Sequence, residues 1–125
     1  MAQTRLLLVD DSAYFLDSLR NYIGVFPQLA VAGTAPSGEQ AIALNNLLAP
    51  DVIVMDVQMP GIGGLAATRM IKALPRAPKV LVLTLHEQEE VRRAAFDAGA
   101  DFFIVKDRLH DEFPAIVAQL AGGWS

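Results

Sequence analysis

Short runs of apolar, often β-branched residues alternate along the chain with longer stretches in which apolar positions return every three or four residues. The runs RLLLVD at 5–10, LAVAGT at 29–34, VIVMD at 52–56, KVLVLT at 79–84 and DFFIV at 101–105 predict five strands. Most are apolar throughout, as strands covered on both faces are; the second is short and is expected near an edge. The first helix is predicted to open at Ser12, with Phe15, Leu19, Tyr22 and Ile23 on one stripe and Leu16 on its flank. The second follows Ser37-Gly38-Glu39, runs through Ala41, Ile42, Leu44, Leu47 and Leu48, and stops before Pro50. A third is predicted over 65–74, ending before Pro75. In the fourth, Glu87, Glu89 and Glu90 crowd the first turn, Arg92 and Arg93 lie deeper, and Gly99 caps the end. The fifth is predicted over 109–120 and requires Pro114 to fall in the first turn or to bend the helix. Strand–helix alternation of this kind predicts an α/β fold with a doubly wound parallel sheet and helices on both faces.

With 125 residues, 53% of them hydrophobic and 19% charged, the chain holds material for one core, so residues 1–125 are expected to form a single domain. Cysteine is absent, which excludes disulfides and thiolate metal sites and, with no signal-peptide pattern, points to the cytoplasm. No apolar run approaches the roughly 20 residues that span a bilayer. The net charge of −4 comes with no basic patch, so direct nucleic-acid binding by this chain is not expected, and a DNA-linked role would need another domain. Trp124, after Gly122-Gly123, is expected to lie in a tail or at the start of a linker.

The residues at the strand ends are polar: Asp10 with Asp11, Asp56, Thr84 and Lys106. Right-handed crossovers align all strands of a parallel sheet, so these residues are expected along the one edge where such sheets bind ligands. Converging carboxylates repel one another unless a cation sits among them, and oxygen-only donors favour Mg²⁺ or Mn²⁺. A carboxylate beside such an ion, a lysine and a threonine hydroxyl is equipped for phosphoryl transfer, with Asp56 as nucleophile. Taken singly, each residue reads more plainly. Asp10-Asp11 would cap a helix, Asp56 would end a strand, and Lys106 would be a solvated charge. His86 and His110 are expected at the surface, and the glycines of PGIGG at 60–64 read as a mobile turn because no Gly-Lys-Ser/Thr follows.

VDDS at 9–12, VIVMDVQMPGIGG at 52–64, VLVLT at 80–84 and GADFFIVKD at 99–107 together resemble the response-regulator receiver domain. The resemblance implies a flavodoxin-like (βα)5 fold with strand order 2-1-3-4-5. It also implies phosphorylation by a histidine kinase or phosphotransfer protein and slow self-dephosphorylation. The Lys106-Asp107 ending resembles the subgroup usually followed by a LuxR-type helix-turn-helix output domain, which implies control of transcription. By the same resemblance, Asp56 is the phosphoacceptor. Asp11, Asp56 and the backbone carbonyl of Gln58 would hold Mg²⁺, with Asp10 acting through water. Thr84 and Lys106 would contact the phosphoryl group. Phe103 would be the switch aromatic that reshapes the surface of the fourth helix, last strand and last helix, the implied homodimer surface.

Leu85 departs from the small residue frequent after the switch threonine and is expected to narrow access to Asp56. Gln58 and His86, two positions after Asp56 and Thr84, stand where they would set the lifetime of the phosphorylated state. One rival is a receiver that interacts without being phosphorylated. Another is a phosphohydrolase of the haloacid-dehalogenase type, which needs a second aspartate as general acid where this chain has Gln58.

Overall fold

A strand of unbroken apolar residues has a side chain to bury on each face. In β1 (Thr4–Val9) Leu6 and Leu8 pack into one core while Leu7 and Val9 pack into another. The computed structural model describes residues 3–123. Along them β1 is followed by α1 (Ala13–Ile23), β2 (Leu29–Ala35), α2 (Gly38–Leu48), β3 (Val52–Met55), α3 (Gly63–Lys72), β4 (Lys79–Thr84), α4 (Glu89–Asp97), β5 (Phe102–Val105) and α5 (Leu109–Gly123). A 3₁₀ turn, Lys106–Arg108, leads into α5. The five strands are parallel in the order β2-β1-β3-β4-β5, the flavodoxin-like arrangement, with the order reversing between β1 and β3.

Helices cover both faces. Leu19 and Ile23 of α1 and Phe113, Ile116, Val117 and Leu120 of α5 meet Leu6, Leu8, Val54, Leu83 and Ile104 on one side. Ala41 of α2, Ala67 and Ile71 of α3 and Ala95 of α4 meet Leu7, Val9, Ile53, Met55 and Val82 on the other. Ser12 caps α1 as predicted; Ser37 caps α2, which opens at Gly38 and so takes in the Gly38-Glu39 pair expected to precede it, and each serine accepts the backbone N–H three residues on. Among the described residues no helix is long and apolar enough to cross a membrane.

Several boundaries differ from the sequence expectation, each for a local reason. Helix α3 begins at Gly63 rather than Leu65, because two glycines carry no side chain through which periodicity could show. Glu87 lies ahead of α4, whose N-cap is Gln88; acidic residues favour the dipole on either side of a cap, so charge alone does not set the boundary. Pro114 falls in the second turn of α5, exposed, and not in the first. Strand β2 does lie at an edge, but it spans seven residues and is not short; its register against β1 shifts between Leu6 and Leu7. Leu16 is half-buried and packs against the α1/α5 core. Trp124 lies outside the described residues.

The PGIGG turn has two left-handed glycines, Gly61 at φ 83° and Gly63 at φ 77°. Gly64 is constrained differently: a Cβ there would fall 1.7 Å from the backbone oxygen of Asp56. Gly64→Ala must therefore displace the β3 end and is expected to cost about 3 kcal/mol. Gly24→Ala, whose new methyl would stand 3.3 Å from the nearest atom, should cost much less. Urea unfolding of the two variants compares them directly, and equal losses would contradict this packing account.

Candidate functional site

The alternation of β-strand side chains decides what gathers at the C-terminal edge of the sheet. Leu6 and Leu8 on β1, Val54 on β3 and Ile104 on β5 all face the α1/α5 side, and Asp10, Asp56 and Lys106 continue those same rows just past the strand ends. The apolar rows anchor the backbone, and the next residue in each row is the polar one. Thr84, the last residue of β4, belongs to the opposite row, with Val82.

Asp10 and Asp56 are nearly buried, at 3% and 7% exposure, whereas Asp11 is exposed. Oxygens of Asp10, Asp11 and Asp56 lie within 4.8 Å of one another. Lys106 Nζ donates to Asp10 Oδ2 at 2.7 Å and stands 3.9 Å from Asp56 Oδ2. The second oxygen of each buried carboxylate is engaged locally: Asp10 Oδ1 accepts the Ser12 N–H at 2.9 Å, and Asp56 Oδ1 accepts the Val57 N–H at 2.8 Å. Asp56 Oδ2 is thus the oxygen left facing the crevice.

Burial and then the Asp10 carboxylate push Asp56 up to about 6, while the Lys106 ammonium and the Val57 N–H pull it down. One lysine does not offset three carboxylates, and every donor among them is oxygen. That donor set fits a hard divalent cation.

The remaining predicted residues arrange themselves around this centre. Gln58, Thr84, Leu85 and His86 line the same crevice of about 290 Å³ with Asp10, Asp11, Asp56 and Lys106. Thr84 is fully buried and its Oγ1 accepts the His86 N–H at 3.2 Å. His86 is half-buried where it was expected at the surface, because that bond draws the segment over the crevice; His110 is exposed as expected. Leu85 is 67% exposed and stands at the rim. Phe103 lies outside the crevice, half-buried on the α4 side of the sheet, with its ring 6.4 Å from that of Phe96 and the Arg92 guanidinium over both.

Sequence reasoning missed two residues. Ser12 was read as a helix start only, and Phe15 as core only. Phe15 in fact places its ring 3.9 Å from Lys106 Nζ. The available signal was positional: Phe15 is the first apolar residue of the α1 stripe, nearest the acidic end.

Fold and site together define an α/β domain with an acidic crevice at its switch point. The chain belongs to the response regulator receiver domain family, which it matches over residues 6–118. It is a receiver domain of two-component signalling. Among curated proteins it is 32% identical over 120 residues to the transcriptional regulatory protein MctR of Rhizobium johnstonii, covering 95% of this chain and 56% of that protein. It is 41% identical over 98 residues to a protein-glutamate methylesterase/protein-glutamine glutaminase of Methanospirillum hungatei, covering 77% of this chain and 28% of the other. The chain thus spans about half or less of the length of these relatives. Among solved structures, a LuxR-family two-component response regulator from Aurantimonas superposes with a TM-score of 0.89 at 35% identity, over 97% of this chain and 87% of that one.

The raised Asp56 fixes the sign of a pH effect. Its folded-state value of about 6 exceeds the ordinary 3.8, so its contribution is most favourable at low pH and is lost as pH rises through about 6. Without divalent ions, Asp56→Asn is expected to stabilise the protein at pH 7 on the order of 2 kcal/mol, with the gain vanishing below about pH 4. Thermal melts at the two pH values measure it; a destabilised variant at pH 7 would contradict the assignment.

Proposed function

We propose that this receiver is a phosphorylation-controlled switch in which Asp56 accepts a phosphoryl group from the phosphohistidine of a kinase or phosphotransfer protein. The observation that carries the reading is the disposition of Asp56. It is buried and flanked by Lys106, with one oxygen tied to the Val57 N–H and the other free in the crevice. Oδ2 attacks phosphorus in line, and the P–N bond breaks with its electron pair leaving on the imidazole nitrogen. Asp11, Asp56 and the backbone carbonyl of Gln58 would hold Mg²⁺ or Mn²⁺, with Asp10 reaching it through water; the ion supplies positive charge for the transferred oxygens. Lys106 supplies a second positive charge, fixed by its bond to Asp10.

Thr84 couples the chemistry to the surface. Its hydroxyl proton is free to go to a phosphoryl oxygen, since its oxygen already accepts from His86. Thr84 and Phe103 sit in the same row of the sheet, facing α4. Movement of Thr84 toward Asp56 would vacate space that the half-buried Phe103 ring can take, changing the α4–β5–α5 surface. That surface would then engage a second copy or an output domain, and the likeness to LuxR-family regulators favours an output in transcription. Gln58, Leu85 and His86 line the path a hydrolytic water must take and would set the lifetime of the phosphorylated state. Gln58 also argues against a phosphohydrolase, because an amide cannot serve as the general acid.

With Mg²⁺ and a small acyl phosphate, the protein is expected to gain the mass of one phosphoryl group, and Asp56→Asn is not. Lys106→Ala should slow the gain on the order of a hundredfold. Intact-protein mass spectrometry follows both. An equal gain in Asp56→Asn would sink the assignment, and turnover of a phosphomonoester beyond a stoichiometric amount would revive the hydrolase.

A further inference from the structure

We infer that Phe15 is a positioning residue of the site, holding the Lys106 ammonium over the carboxylates through the face of its ring. This rests on the reading of Asp56 as phosphoacceptor. The ammonium lies 3.9 Å from the ring centroid, well inside the range of cation–π attraction, and its side chain is only 12% exposed, so water competes weakly.

Ring and lysine belong to one closed circuit. Lys106 Nζ donates to Asp10 Oδ2, Asp10 Oδ1 accepts the Ser12 N–H, and Ser12 Oγ accepts the Phe15 N–H at 3.1 Å. The circuit returns through the Phe15 ring to Lys106. Each member fixes the next: the N-terminus of α1 cannot shift without moving both the carboxylate that holds the lysine and the ring that faces it.

The chemistry explains why a ring suits this place. Lysine is a compact charge on a flexible stem with three rotatable donors. A carboxylate seat takes up one of those donors and adds negative charge where three carboxylates already repel. The ring attracts the same charge without accepting a conventional hydrogen bond. The N–H groups stay available, to Asp10 in the structure and to phosphoryl oxygens in the reaction. A residue that merely filled core space beside Leu19 and Ile23 would need only its volume, and leucine would serve nearly as well.

The test compares Phe15→Leu with Phe15→Tyr, which keeps the ring. The chain has three lysines, Lys72, Lys79 and Lys106, so carbon-proton spectra of lysine-labelled protein resolve the Lys106 ε-methylene, assigned with Lys106→Arg. Its protons are expected upfield of the other two from the ring current. Phe15→Leu should remove that shift and slow phosphoryl gain from acyl phosphate about fivefold, with the far-ultraviolet circular dichroism retained. Phe15→Tyr should keep both. A parent Lys106 signal coincident with Lys72 and Lys79 overturns the inference, as do equal losses in the two variants. If the parent takes no phosphoryl group yet its Lys106 shift vanishes in Phe15→Leu, the seat is supported and the phosphoacceptor reading fails.

Discussion

Two carboxylates, Asp10 and Asp56, are held almost out of water beside a third, Asp11, and their mutual repulsion is the constraint on which the rest of the site depends. A mobile backbone would relieve it by swinging the side chains into solvent. Here the apolar rows of β1 and β3 are packed on both faces and pin the two aspartates at adjacent positions of the switch point. The repulsion is instead answered by Lys106, by backbone N–H groups of Ser12 and Val57, and by an elevated affinity of Asp56 for a proton. A site poised in this way gains from any added positive charge.

The two faces of the sheet divide the work. The α1/α5 row ends in Asp10, Asp56 and Lys106 and carries the charge. The opposite row ends in Thr84 and includes Phe103, and it leads to the surface beside α4. A parallel strand one residue longer or shorter would exchange the rows and separate these roles. Gly64 lets the start of α3 lie close against the end of β3, because a Cβ there would overlap the Asp56 carbonyl.

This division also explains what could be read in advance. Asp10, Asp56, Thr84 and Lys106 were legible because the period of a buried strand is strict and each polar residue breaks an apolar run at its end. The order 2-1-3-4-5 was an implication of family resemblance, which pattern alone does not supply. Phe15 was not legible as part of the site: a helical stripe marks it for burial, but burial against leucines and burial against an ammonium leave the same trace in sequence. The half-buried position of His86 depends on one bond from its backbone N–H to Thr84 Oγ1, and backbone donors carry no residue-type signal. The start of α3 was hidden by glycines, which contribute to neither face of a helix.

The central claim is that burial and carboxylate repulsion, not the intrinsic chemistry of an aspartate, set the state of Asp56. The most direct measurement is a nuclear magnetic resonance titration of the Asp56 carboxyl carbon with and without divalent ions. A midpoint near 6 without the ion and a marked fall when Mg²⁺ is added are what the account predicts. A midpoint in the ordinary carboxylate range, unmoved by Mg²⁺, would contradict it.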